Sequence, residues 1–156
     1  MSSKEEYEMS YEEYEEKCKE IRLKNEMYLE EFEEDLLNAG LKEKTVSRHY
    51  GNVYFYINNY LLREEPLEMK SGTNSFNING FLGHFFIRKC MWSTPGTIKS
   101  NAASIKKFYK SMFQRGHINE SDYKELADAI KFDMDDWLED CESYNDPNSP
   151  NPFSLF

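Results

Sequence analysis

Apolar residues recur at three-, four- and seven-residue steps in five successive segments of the chain. This spacing places them on one face of an α-helix and leaves the polar residues between them on the opposite face. The first segment runs from about Ser10 to Asn38. Its start has a capping-box pattern, Ser10 with Glu13, and Gly40 follows its end. The pattern predicts one long N-terminal helix with a strongly acidic first half.

Four further segments have the same periodicity, and they cover about residues 44–65, 77–91, 95–115 and 119–143. Pro66 ends the second segment. Thr94 is the predicted N-cap of the fourth, because Pro95 then takes the first helical position, where a missing N–H costs nothing. Residues 70–75 are polar and rich in helix breakers, which predicts a loop. The chain is therefore predicted to be all-α, a compact bundle of about five helices.

The chain has 156 residues, enough for one domain with a core and too few for two. We divide it into an acidic N-terminal helical extension (residues 1–27), a helical domain (28–143) and a tail (144–156). The tail holds three of the five prolines and several asparagines, a composition typical of disorder.

The apolar runs and the cysteine spacing argue against a membrane protein and against a secreted protein. No apolar run approaches the roughly 18 residues that span a bilayer. The first residues lack the apolar stretch of a secretory signal. Cys18, Cys90 and Cys141 lie far apart, without a Cys-x-x-Cys pair, which is typical of reduced thiols. We expect a cytoplasmic protein that does not engage a membrane.

Charge is distributed unevenly, although the net charge is −10. Residues 1–40 hold 5 Lys and Arg against 14 Asp and Glu, or −9. Residues 41–120 hold 12 against 5, or +7, and residues 121–156 hold 2 against 10, or −8. A basic middle between acidic ends indicates a candidate surface for nucleic acid. Alternatively, the ends keep the protein soluble and merely offset the middle.

Two blocks of sequence resemble each other. Lys44-Thr45-Val46-Ser47-Arg48 and Gly96-Thr97-Ile98-Lys99-Ser100 both follow a short loop, have Thr near the helix start and continue into aromatic-rich helices. Asn38-Ala39-Gly40-Leu41 precedes the first block, and Gly116-His117-Ile118-Asn119 follows the helix that begins with the second block. Together these segments resemble the core-binding domain of tyrosine recombinases. The likeness covers about residues 28–130. It implies a SAM-like helical fold that clamps duplex DNA.

The chain also departs from that family. Members commonly have Asn-Pro directly after a Gly-x-Ile motif at the end of this helix. Here Gly116-His117-Ile118 is followed by Asn119 and Glu120. Recombinase catalysis uses a Tyr nucleophile with two Arg, a Lys and His groups from a separate catalytic domain, and the matched region corresponds to the core-binding domain alone. None of the three histidines begins a His-x-x-Arg motif. We therefore expect no enzymatic activity.

The family likeness implies DNA contacts through the first turns of two helices. In this sequence those residues are Lys44, Thr45, Ser47, Arg48, Thr97, Lys99, Ser100 and Asn101. Independently of the likeness, Lys99, Lys106 and Lys110 fall on one helical face, with Lys107 and Arg115 near it. A cationic face opposite an apolar one can neutralise phosphates, although a solvated face has the same pattern.

Duplex DNA is the expected partner, alone or together with a recombinase or a second copy of the chain. The alternative is an acidic helical module for protein–protein interaction that has lost DNA binding. No metal site, cofactor or small-molecule substrate is expected. The histidines lie far apart, and the acidic run after residue 132 lacks the glycine and loop spacing of an EF-hand.

Overall fold

The computed structural model describes residues 9–146, and all regular secondary structure in that range is helical. The elements are α1 (Tyr11–Asn38), α2 (Glu43–Tyr54), a π-helical turn (Phe55–Tyr60), a 3₁₀ helix (Met69–Thr73), α3 (Ser75–Gly80), a second π-helical turn (Phe81–Phe85), α4 (Phe86–Lys89), α5 (Pro95–Gln114) and α6 (Glu120–Asn145). The first π-helical turn continues α2, and the second joins α3 to α4. Five helical segments therefore form the fold, which confirms the all-α prediction.

The ends of α1 lie where the capping pattern predicts them. The Oγ of Ser10 accepts a hydrogen bond from the Glu13 amide at 3.1 Å. Beyond the last turn, Gly40 has a φ of 85°, a left-handed conformation that a side chain would strain. These local signals define a 28-residue helix.

The first half of α1 packs on the rest of the molecule. Cys18 and Ile21 form a small apolar cluster with Leu62, and the Tyr14 hydroxyl donates a hydrogen bond to the Leu62 carbonyl. The domain boundary predicted at residue 27 thus lies within a continuous helix. Of the predicted tail, residues 144 and 145 belong to α6, and residues 147–156 lie outside the described part of the chain.

The two π-helical turns pack against each other through aromatic rings. The Tyr56 and Tyr60 rings lie 4.9 and 5.0 Å from the Phe81 ring, and Tyr60 also contacts Phe85 at 5.1 Å. Offset and edge contacts of this kind add to the free energy of burying the rings. The aromatic cluster joins the second and third helical segments.

The loop predicted over residues 70–75 is wrong for most of its length, because residues 69–73 form a 3₁₀ helix. Two buried tyrosines determine its position. The Tyr109 hydroxyl donates to the Met69 carbonyl at 2.6 Å, and the Tyr56 hydroxyl donates to the Gly72 carbonyl at 2.7 Å. A Cβ at Gly72 would lie 2.9 Å from the Tyr56 ring, so this close approach requires glycine.

The core is centred on α5, which packs against α1, α2 and α6. The Phe108 ring meets Phe32 of α1 edge-on, with centroids 5.4 Å apart. On the opposite side, Phe113 stacks on Tyr123 of α6. Because three neighbours cover α5, only one strip of its surface remains open to solvent.

Candidate nucleic-acid interface

The open strip of α5 carries positive charge only. The helix contains four lysines and no aspartate or glutamate. Its buried residues include Ile98, Ile105, Phe108 and Met112, whereas all four lysines are exposed. The exposed residues are Lys99, Lys106, Lys107 and Lys110. The apolar periodicity therefore forces the lysines onto the solvent side.

The start of α5 is held by the predicted cap. The Thr94 Oγ1 accepts from the Thr97 amide at 3.1 Å, and the Thr97 Oγ1 accepts from the Thr94 amide at 2.7 Å. Pro95 occupies the first helical position. This reciprocal capping box satisfies two backbone donors and makes Thr97 a structural residue of the first turn.

Helix α2 lies antiparallel beside α5, and a hydrogen-bond network around Ser104 joins them. His49 Nδ1 lies 2.7 Å from Ser104 Oγ, and Asn52 Nδ2 donates to the same oxygen at 3.0 Å. Ser104 in turn donates to the Ser100 carbonyl at 3.0 Å. With the Ser104 proton used in that bond, its oxygen accepts from its neighbours, and this favours the His49 tautomer that is protonated at Nδ1.

Arg48 and Lys107 lie on the two helices near His49. Burial lowers the pKa of His49, and the charges of Arg48 and Lys107 lower it further. Protonation would add a third positive charge at a buried site, so the imidazole stays neutral at neutral pH. Arg48 of α2 and Lys107 of α5 therefore both lie close enough to His49 to lower its pKa.

We define the basic face as the exposed cations of α2 and α5. These are Lys44, Arg48, Lys99, Lys106, Lys107 and Lys110. Lys44 lies one turn before Arg48 on α2. Within residues 9–146, no carboxylate lies within 4.0 Å of any of these six side chains. Ser47 is exposed beside them, and Thr45 is half-buried. The six cations are therefore unpaired in the described part of the chain.

Arg115, at the end of α5, has different surroundings from the lysines. Its guanidinium donates to Asp35 of α1 at 2.7 and 2.9 Å and to Glu31 at 3.3 Å. The hydrogen bond from Arg115 holds the pKa of Asp35 below its usual range. Arg115 thus joins α5 to α1, and its charge is neutralised within the protein.

Two other predicted contact residues are engaged inside the fold. Asn101 is buried and donates from Nδ2 to the Thr97 carbonyl at 2.8 Å. Ser100 is half-buried, and its hydroxyl oxygen accepts from Asn52 at 3.4 Å. Of the residues predicted from the sequence, the exposed cations lie on two helices that pack together, whereas Asn101 is buried and Arg115 is bound to α1.

His49 and Asn52 were not predicted as part of this surface. They are three residues apart, which places them on one face of α2, but the same spacing occurs on any solvated helix. Their role became visible only through their contacts with Ser104, more than 50 positions away in sequence. No periodic signal could have identified that pairing.

Other kinds of site are not seen in the described part of the chain. No group of three His, Cys, Asp or Glu side chains there could hold a metal ion. No helix formed by residues 9–146 is both long and apolar enough for a bilayer crossing. The chain matches no protein-family model, no curated protein and no solved structure.

Proposed function

We propose that this chain is a non-catalytic, cytoplasmic DNA-binding module related to the core-binding domain of tyrosine recombinases, and that the basic face contacts duplex DNA. The observation that carries the proposal is the set of exposed cations on two adjacent helices that have no carboxylate partner among residues 9–146. The SAM-like architecture and a role as a recombination accessory are part of the same proposal.

The paired sequence blocks support the relationship to recombinases. Thr45 is the third residue of α2, and Thr97 is the third residue of α5. Both threonines therefore occupy equivalent positions in their own helices, and the antiparallel packing places the two first turns at opposite ends of the pair. The likeness extends to Gly40 and Gly116, which both have positive φ and both follow a helix end.

Electrostatics favour a phosphate backbone as the ligand of the basic face. Each phosphate that a cation neutralises releases condensed counterions from DNA, and this release dominates sequence-independent affinity. Lys99 and Lys110 are eleven residues apart on one helix, about 16 Å at the rise of an α-helix. Measured along the axis of B-DNA, that length corresponds to about five phosphates of one strand. The net charge of −10 does not oppose such contact locally, because no carboxylate of residues 9–146 pairs with these cations.

The test is fluorescence anisotropy of a labelled blunt duplex titrated with the protein over a salt series. We expect affinity to fall steeply with salt. Substituting Lys99, Lys106, Lys107 and Lys110 together by Ala should lower the magnitude of the log–log salt slope by about three to four and abolish binding near physiological salt.

A matched control removes the same charge elsewhere. Lys17, Lys19, Lys24 and Lys131 are exposed on α1 and α6, so their joint replacement by Ala changes the net charge equally. This control should keep its salt slope and nearly all of its affinity. Equal weakening of both variants, or no binding by folded wild-type protein at low salt, would overturn the proposal.

A second candidate function is protein–protein interaction through the outer side of α1. Leu23 and Met27 lie one turn apart there and are 66% and 62% exposed, although the predicted apolar stripe of α1 is covered. Lys19, Arg22 and Glu26 lie beside Leu23, so the surrounding charges have both signs, which suits a second copy of this chain. Light scattering distinguishes this function. A concentration-dependent dimer that disappears in the Leu23→Ser, Met27→Ser variant supports it, and a monomer at all concentrations contradicts self-association.

A further inference from the structure

The loop between α4 and α5 presents two large apolar side chains to solvent. Met91 is fully exposed, and Trp92 is 58% exposed. The Trp92 ring is supported from behind, since it meets the rings of Phe55 and Phe86 edge-on at 6.2 and 6.4 Å. One face of the indole thus rests on two rings, and its exposed part is open to a further aromatic contact.

Hydrogen bonds hold this loop in one conformation. The Ser93 amide donates to the Cys90 carbonyl at 3.1 Å, and the Ser93 hydroxyl donates to the Ile87 carbonyl at 3.2 Å. From α6, Asn145 donates to the Ser93 carbonyl at 2.9 Å. The two apolar side chains therefore project from a fixed support.

The loop lies at one end of the basic face. It immediately precedes α5, and Phe55, which touches Trp92, immediately follows α2. Lys89 and Lys99 are exposed on either side of the loop in sequence. Trp92 therefore lies at the same end of α5 as Lys99.

We propose that Trp92, assisted by Met91, stacks on an unpaired base, so that the preferred ligand is duplex DNA that continues into a single strand. This inference rests on the proposed DNA binding. Away from its two ends, an intact duplex hides its base faces within the stack, and an indole can contact one there only where a strand is unpaired or a step is opened. The adjacent cations favour a nucleic acid over an uncharged apolar partner.

The experiment compares a blunt labelled duplex with the same duplex carrying a short single-stranded extension. Base–aromatic stacking predicts roughly tenfold tighter binding of the extended duplex. Tryptophan emission should be quenched on binding. Trp92→Ala should remove both effects and leave affinity for the blunt duplex unchanged. Trp137 is buried, so the difference in quenching between wild type and this variant reports on Trp92.

Two further variants guard against indirect effects. Met91→Ser alters a fully exposed side chain, cannot disturb the core, and should weaken the preference in part. Phe132→Ala removes a 75% exposed aromatic ring from acidic α6 and should change nothing. Circular dichroism confirms that each variant is folded before its affinity is interpreted.

The outcomes separate this inference from the proposed function. Equal affinity for both duplexes without quenching overturns the stacking contact and leaves duplex binding in place. A preference that persists in Trp92→Ala also overturns it. No binding of either DNA overturns both proposals. Quenching by anionic phosphatidylserine vesicles, with none by DNA, would identify a lipid surface instead.

Discussion

Helices α1 and α5 are both long and amphipathic, and they carry opposite charge on their solvent sides. Helix α1 has eleven acidic and four basic residues, so several of its charges lie close to opposite ones, as Lys17 does to Glu20 at 4.0 Å. Helix α5 has four lysines and no acidic residue. Only its last cation, Arg115 just beyond the helix end, reaches the carboxylates of α1.

This difference shows that the number of charges on a helix does not identify a binding surface. Exposed ion pairs contribute little to stability, so the acidic side of α1 is explained by solubility and scattered pairing. A cationic strip without partners gains nothing within the fold and repels itself. Its charges are available to an external polyanion, and this makes α5 the more informative of the two helices.

The largest expected effect comes from the contact that the two helices share. Phe32 and Phe108 are fully buried and meet edge-on. Replacing either by Ala should cost about 3–5 kcal/mol of unfolding free energy, because it removes apolar contacts and leaves a cavity. Urea denaturation would measure this, with the milder Phe→Leu variants as controls for folding. Losses below about 1 kcal/mol would mean that α1 and α5 do not share a core.

A smaller effect is expected where the charges of the two helices meet. Arg115→Gln should lower the urea midpoint at pH 7, since it leaves Asp35 without its cation, whereas Glu31 keeps its contact with His117 Nε2 at 2.9 Å. The pKa of Asp35 is lowered in the folded state, so its contribution is present above the ordinary carboxyl pKa and is lost as the pH falls below about 4. Wild type and variant should therefore converge in stability at low pH. A difference in unfolding free energy between wild type and variant that stays constant with pH would contradict this ion pair. Unchanged duplex affinity in the variant would show that Arg115 does not act as part of the basic face.

The smallest effect concerns His49. Its pKa is lowered by burial and by the charges of Arg48 and Lys107, so the unfolded chain takes up a proton at higher pH than the folded one. The contribution of neutral His49 to the free energy of unfolding should be fully present above about pH 6.5 and should decline as the pH falls below that value. His49→Gln, which can still donate to Ser104, should have a flatter profile between pH 7 and 5. Parallel melting curves for both proteins over this range would contradict the assignment.

Local order was largely predictable from the sequence. The periodic apolar residues, Ser10, Thr94 and Pro95 act over one or two helical turns, so the bounds of α1 and α5 follow from neighbouring residues. The same periodicity assigned Lys99, Lys106 and Lys110 to the solvent side, where the structure has them. Their contact with DNA stays a prediction.

Tertiary structure decided what depends on residues far apart in the chain. The 3₁₀ helix forms where a loop was predicted, because two buried tyrosine hydroxyls require backbone acceptors there. Arg115 and Lys110 are both cations near the end of α5, and the approach of Asp35, 80 positions away, neutralises Arg115, whereas Lys110 has no carboxylate partner within residues 9–146. By itself the sequence determined the helices and the sign of charge on each, because these are local properties. Which charges remain unpaired depends on how the helices pack, and only the folded chain determines that.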